Sequence, residues 1–284
     1  MAWESRWHNA DDGAAERAET AAREGSKTMD NALLVGLSRQ VTLSRELEVV
    51  ANNLANINTT GYKTDSSIFQ QFLMPEVSSG GFPPDSRQVS YVLDRATWHD
   101  LGPGPILRTG SPLDVAIDGD AFLVVQTAGG QRYTRNGALQ ISTTGALVTS
   151  SGDPVLGVGG PIQFQNTDHD ISIGEDGTIT VREGASATSD STRGQLQLAH
   201  FDNASQLQKQ GANLFLAPPG VPPQPAPLGV RVVQGSIEQS NVSAVSEMAR
   251  MVEISRTYEQ IASILQQENS ERTTALDKLS AVPA

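Results

Sequence analysis

The sequence predicts an α+β fold in which long N- and C-terminal helices pair as an antiparallel coiled coil, with a central all-β body between them. Three observations carry that prediction. Near each end of the chain, apolar residues recur at alternating steps of three and four, the pattern of a packed helical seam. Between the ends, apolar runs are short, broken by turn residues, and never sustain a helical period. Glycine and proline are plentiful (26 and 15) while aromatic residues make up only 5%, which suits a turn-rich body with a modest core.

Residues 1–28 read as a polar leader with mixed charges and two tryptophans, Trp3 and Trp7. Met29 directly precedes the first helical pattern. Either Met29 is the biological start and the leader arises from an upstream start, or the leader is a flexible extension. From Asp30 the chain opens on a helix of about 28 residues, a rod of roughly 40 Å. Leu33, Leu43, Leu47, Val50, Leu54 and Ile57 form its seam, in which Gly36 and Gln40 are weak points. A second apolar line, Leu34, Leu37 and Val41, widens the stripe. Asn52, Asn53, Asn56 and Asn58 follow, and the helix is expected to stop at Thr59, Thr60 and Gly61, where glycine can take the left-handed cap conformation.

The next segment, 64–106, reads as an irregular connector, with a possible strand at Val89 to Leu93 and a break at the GPGP stretch from Gly102. The β body is predicted over 107–234. Its runs are Leu113 to Ile117, Ala121 to Gln126, Gln131 to Thr134, Ala138 to Ser142, Ala146 to Thr149, Ile171 to Ile173, Thr178 to Val181, Gln195 to Phe201, Leu214 to Leu216 and Val230 to Val233. Asn136-Gly137 suits a type I′ hairpin, and GEDG at Gly174 marks another. The proline-rich stretch at 218–228 reads as a surface loop. Residues 235–284 hold the second helix, with Met251, Ile254, Tyr258, Ile261 and Leu265 on its seam and Val242, Val245, Met248 and Val252 on an adjoining line. Beyond Leu265 the seam weakens at Glu268 and Arg272 before Ala275 and Leu279.

Composition excludes several functions. A net charge of −12 without a basic cluster is unsuited to nucleic acid or an anionic membrane surface. No apolar run approaches the roughly 20 residues that span a bilayer, so membrane insertion is not expected, and no secretory signal pattern opens the chain. The absence of cysteine removes disulfides, thiol catalysis and thiolate metal sites.

No cofactor is expected. Asp114, Asp118 and Asp120 lack the full set a calcium loop needs, alternate acidic or amide ligands with a following glycine and a distal glutamate, and read as strand-and-turn carboxylates. His8, His99, His169 and His200 are too scattered for a metal site. No nucleophile elbow, ordered triad or phosphate loop stands out. The asparagine cluster carries two readings. Any one of them can cap a helix end; as a set they favour amide contacts that fix register between neighbouring subunits. The apolar stripes on both helices are too broad for a single partner, which implies association.

Four stretches carry a family resemblance. ANNLANINTTGYK, from Ala51, resembles the N-terminal signature of flagellar basal-body rod, hook and hook-associated proteins. RTGSPLDVAIDGDAFLVVQ, from Arg108, and YTRNGALQIS, from Tyr133, resemble successive β segments of that family. GSIEQSNVSAVSEMARMVEISRTYEQ, from Gly235, resembles its C-terminal signature. Within the family, the first helix looks most like that of the proximal rod, with the distal rod or hook next. The departures are the leader and Ala121, where the family usually has glycine.

The resemblance implies a structural, non-enzymatic subunit. It would be exported unfolded by the flagellar type III apparatus and polymerised helically with its own copies and other rod proteins, crossing the periplasm in the basal body to transmit torque. The assembly interface expected on that basis comprises Leu33, Leu43, Leu47, Val50, Asn53, Leu54, Asn56, Ile57, Met251, Ile254, Tyr258, Ile261 and Leu265. A secreted glycan-active enzyme would need paired carboxylates in an aromatic-lined cleft, and the body is poor in aromatics. A secreted adhesin would leave the matched terminal seams unexplained.

Overall fold

The computed structural model describes residues 33–74, 89–184 and 190–280. The leader at 1–28, and Met29 with it, lie outside the described residues. The described chain is an α+β protein, a helix near each end with a β-rich stretch between. It divides into two compact units. The first holds 33–49, 67–74, 89–96 and 249–280; the second holds 50–66, 97–184 and 190–248.

Helix α1 covers residues 33–55 and α2 covers Ala244–Ser280. Both sequences are free of proline and rich in straight-chain residues, which lose little rotamer freedom in a helix. Helix α1 stops short of the predicted glycine. Asn56 turns its side-chain amide back onto the Asn52 carbonyl (2.9 Å), and the backbone then closes in three-residue steps, Ile57 to Leu54 and Thr59 to Asn56. Asparagine competes with the helix for its own carbonyls and ends it. Ile57 therefore lies in a turn and not on the helical seam. Gly61 does adopt a left-handed backbone (φ 67°), but for a different purpose: a Cβ there would sit 2.5 Å from the Arg135 carbonyl carbon.

The segment expected to be irregular, 64–106, instead contains two long paired strands, β1 (Thr64–Met74) and β2 (Val89–Asp100), and the start of β3 (Ile106–Arg108). The possible strand at Val89 to Leu93 is the start of β2, whereas β1, with its serines and glutamines and no clean alternation, was not foreseen.

In the second unit, β4 (Val115–Asp118), β5 (Phe122–Thr127) and β6 (Gly130–Thr134) open the body. Strands β7 (Leu139–Ile141) and β8 (Leu147–Thr149) form a hairpin, as do β9 (Leu156–Gly157) and β10 (Gly160–Pro161). Strands β11 (Asp168–Ile173), β12 (Thr178–Glu183) and β13 (Asp190–Gln195) make a three-stranded antiparallel sheet, with the GEDG turn between β11 and β12 as predicted. Then follow β14 (Leu198–His200), β15 (Gln208–Lys209), β16 (Leu214–Leu216), β17 (Gln224–Pro225), β18 (Arg231–Gln234) and β19 (Ser236–Glu238). The largest sheet runs β15-β16-β6-β5-β14-β17, so the proline-rich loop contributes its edge strand. Proline fits there because an edge strand can spare the N–H that proline lacks.

Strand β5 shows why the central sheet is stable. Its residues point alternately to two apolar clusters. Leu123 and Val125 pack with Ile117, Leu147, Val155 and Ile179 on one side; Phe122 and Val124 pack with Tyr133, Phe201 and Phe215 on the other. Edge-on ring contacts join Phe122 to Phe201 and Phe215, with centroids 6.0 and 5.9 Å apart. Both faces being covered, β5 reads as one continuous apolar run.

Asn136-Gly137 does not make the predicted two-residue hairpin. Strand β6 pairs with β5 and β16, β7 pairs with β8, and the dipeptide carries the chain from one sheet to the other. Asn136 Oδ1 accepts the Ala138 N–H (3.1 Å), an Asx-type turn, and the Gly137 carbonyl accepts the Val115 N–H (2.9 Å). A Cβ on Gly137 would collide with the Val115 carbonyl oxygen. Gly137→Ala is expected to lower stability by about 2 kcal/mol, whereas Gly159→Ala, which faces open space, is expected to be nearly silent. Urea unfolding of both variants checks this; equal midpoints would show that the corner tolerates a side chain.

Candidate assembly site

In the first unit the seams of both helices are where burial is found. Leu43 is 3% exposed and Ile254 4%; Leu33, Leu47, Met251, Ile261 and Leu265 are half-buried. Leu265 lies against Gly36, where a Cβ would come within 2.6 Å of Leu265 Cδ2. Arg250 donates two hydrogen bonds to Glu46 Oε1, at 3.1 and 2.7 Å. Beside the seams the surface stays open: Leu34, Leu37 and Val41 on α1 are 46–49% exposed, and on α2 Val252 of the adjoining line is 51% exposed and Ile264, on the other flank of the seam, 58%. Tyr258, expected on the seam, is exposed, as is every residue from 271 to 278, Ala275 included.

In the second unit, the chain leaving α1 and the chain entering α2 meet in a polar cluster. Val50 and Asn53 are fully buried there, and Leu54 is half-buried. Asn53 spends its whole amide within the chain. Its Nδ2 donates to the Asp65 carbonyl (2.8 Å) and to Glu247 Oε2 (3.2 Å), and its Oδ1 accepts the Asp65 N–H (2.9 Å). The amide thus pairs with Asp65 as a neighbouring strand would. The Tyr62 hydroxyl donates to Asn52 Oδ1 (2.7 Å). Asn241 Oδ1 accepts from the Thr64 N–H and hydroxyl, at 2.8 and 2.7 Å. The Asp65 and Glu247 bonds occupy the Asn53 amide within the chain. An open cleft of roughly 720 Å³ lies beside them, lined by Asn52, Asn56, Tyr62, His99, Lys209 and Asn213 among others.

Asp65 anchors the same cluster. Its carboxylate lies 2.7 Å from His99 Nδ1 and accepts from Lys209 Nζ, which also sits 3.7 Å from the centre of the Tyr62 ring. Burial pushes the Asp65 carboxyl up, but the His99 hydrogen bond and the Lys209 charge outweigh it and hold the group below the usual carboxylate range. Burial lowers Lys209, against the pull of Asp65, and raises the Tyr62 hydroxyl, with Asp65 adding to the rise.

Below this lies a buried ionic triad. Lys63 (0% exposed), Arg135 (3%) and Glu238 (1%) meet in the interior of the unit. Lys63 Nζ donates to Glu238 Oε1 and to the Gly102 carbonyl, each at 2.6 Å. Arg135 Nη1 donates to Glu238 Oε2 (3.3 Å), and its guanidinium stacks 5.0 Å from the Phe122 ring. The Gly104 N–H completes the shell of Glu238 Oε1 (2.8 Å). Burial draws Lys63 below its ordinary value, against the attraction of Glu238.

Sequence reasoning found the seams and missed this cluster. The one available signal was the strand Ser236-Ile237-Glu238, whose pattern is inverted: the acid points inward and the isoleucine does not. Of the other polar candidates, Asp114 accepts from Thr109, Asp118 pairs with Arg231, and Asp120 is 3.9 Å from Arg135, all as turn or surface carboxylates. Among the described residues, no group of three His, Asp or Glu side chains has the spacing to hold a metal ion, and no helix is long and apolar enough to cross a membrane.

Comparison with known proteins matches three separate parts of the chain. Residues 33–63 match the family model for flagella basal body rod protein, 116–181 that for the flagellar hook protein FlgE/F/G D1 domain, and 233–277 that for the flagellar basal body rod FlgEFG protein C-terminal. The chain is 37% identical to the flagellar basal-body rod protein FlgF of Caulobacter vibrioides, over 89% of this chain and 100% of that protein. It is 33% identical to FlgF of Rhizobium meliloti, over 88% and 98%, and 29% identical to the rod protein FlgG of Bacillus subtilis, over 84% and 94%. The chain belongs to the flagellar basal-body rod protein family. It is close to FlgF, a structural component of the rod and not an enzyme.

The lowered Asp65 value fixes a sign for pH dependence. A carboxyl depressed in the folded state contributes stability above its unfolded value, near pH 4, and that contribution is lost as pH falls through the folded value. Asp65→Asn is therefore expected to lower stability by about 2 kcal/mol at pH 7, with the gap to wild type closing as pH drops below about 4. Melting temperatures of both proteins between neutral and acid pH test this. A gap that stays constant over that range would mean the carboxylate charge is irrelevant.

Proposed function

We propose that this rod protein is a proximal-rod subunit that polymerises with its own copies and with other rod proteins through its paired terminal helices. In this reading α1 and α2 run antiparallel. The Glu46–Arg250 pair joins the later part of α1 to the early part of α2, and the Gly36–Leu265 contact joins the start of α1 to a point well along α2. A parallel pair would reverse that order. Seam residues such as Leu43, Leu47, Ile254, Ile261 and Leu265 then serve mainly to hold the two helices together.

The observation that carries the assembly reading is the apolar line left outside that seam. Leu34, Leu37 and Val41, with Val252 and Ile264, present large side chains to water on helices that already have one buried stripe. Such a surface on a helix is stable only when neighbours cover it. Half-buried Leu33, Met251 and exposed Tyr258 border it and complete the contact. Asn56 and Ile57 lie at the root of α1, where they orient its exit. Proximal placement rests on likeness to the FlgF relatives over nearly their whole length. Export by the flagellar type III apparatus, and torque transmission through the polymer, follow from the same likeness.

Two substitutions separate the roles. Ile261→Asp forces a carboxylate into the half-buried seam and is expected to part the helices and abolish assembly. Leu37→Asp lies on the open line and is expected to leave monomer stability within about 0.5 kcal/mol while still blocking incorporation. Glu259→Asp, on an exposed face, serves as the matched control. The readouts are swimming, the amount of protein in purified basal bodies, and circular dichroism of the soluble variants. Incorporation of the Leu37→Asp protein at wild-type levels would sink the assembly role of the open line. Labelled protein found at the hook end of the rod would favour a distal position.

A further inference from the structure

We infer that Glu238 gates folding of the second unit, so that the body cannot close until the root of the C-terminal helix is in place. The two apolar clusters of this unit are drawn from residues between Val115 and Val232. On hydrophobic grounds the unit is complete before Glu238 is reached. Its interior nevertheless contains two cations, Lys63 and Arg135, which lie 175 and 103 residues before the carboxylate that balances them. Asp120 is 3.9 Å from Arg135, but its side chain is 82% exposed and in solvent, so it neutralises little. Arg135 Nε has no hydrogen-bond partner, so the guanidinium depends on what Glu238 and the Ile117 carbonyl supply.

Closing the body without Glu238 would bury two positive charges with no counter-ion, a state that folding avoids because the solvation lost is not recovered. The backbone adds to the same dependence. The Glu238 carbonyl accepts the Gly61 N–H (2.8 Å), β19 pairs with β3 from Ile106 to Arg108, the Gln239 N–H donates to the Pro105 carbonyl (2.8 Å), and Asn241 holds Thr64. One short segment thus ties down the exit from α1, the β2–β3 connection and the centre of the body. A chain made from its N-terminus has all of its core residues and still cannot use them until this segment arrives.

The test uses the full-length chain. Pulse-labelling hydrogen exchange during refolding is expected to show amides of the central sheet, such as Val124 and Val125, gaining protection in the same kinetic phase as Gly61, Ile237 and Gln239. Glu238→Gln, which keeps the shape and removes the charge, is expected to lower the melting temperature by roughly 10 °C or to leave the body unprotected. Lys63→Met leaves Glu238 balanced against Arg135 alone and is expected to lose less than half as much. Protection of the central sheet ahead of Gly61 and Gln239 in the wild-type chain would overturn the inference. So would a Glu238→Gln protein that melts with wild type, or a Lys63→Met protein as unstable as Glu238→Gln.

Discussion

One buried carboxylate holds the second unit together. Glu238 sits between Lys63, which follows the first helix, and Arg135, which stands in the centre of the body. Each of the three residues falls in a different matched stretch of the family: Lys63 in the N-terminal segment, Arg135 in the hook-protein D1 segment, Glu238 in the C-terminal segment. The three stretches are distant in sequence and meet at one point in space. A buried triad of this kind is seldom more stabilising than a well-packed apolar cluster. What it supplies is conditionality, because without Glu238 two cations are left in a place that water cannot reach.

The surrounding polar contacts extend the same arrangement. Asn53 pairs with the backbone of Asp65 as a strand would, Asn241 caps the start of β1, and Glu247 reaches back to Asn53 from the first turn of α2. A carboxylate in a first helical turn also sits favourably against the helix dipole. Lys209 and His99 then close over Asp65 from β15 and β2. The roots of both helices are thereby held by hydrogen bonds whose geometry is directional, which apolar packing alone would not impose.

The parts of this fold that were legible in the sequence are those with a local period. The seams of α1 and α2 recur at helical spacing, and the GEDG hairpin and the short apolar runs of the body announce themselves within a few residues. The parts that were hidden depend on distant partners. Strand β1 and the later part of β2 lack alternation and are strands because the two pair with each other. Asn136-Gly137 has the composition of a tight hairpin, yet the chain crosses there between sheets because Gly137 must pass close to Val115. The triad had almost no local signature: Lys63 reads as a lysine after a turn, and the only cue to Glu238 is the inverted pattern of its short strand.

Periodicity also cannot say whose helix covers a given stripe. From sequence, Leu43, Val50 and Ile254 belong to the expected assembly interface, while Leu37 and Val252 only widen the stripes beside it. In the folded chain the first three are 3%, 0% and 4% exposed, so a neighbouring subunit has almost none of their surface left to bury. Leu37 and Val252 keep about half of theirs. The free energy of association scales with the apolar area still to be removed from water, near 25 cal/mol per Å². The stripe that looked secondary in the sequence is therefore the one with apolar area left to give up, and the proposed assembly draws on it for that reason.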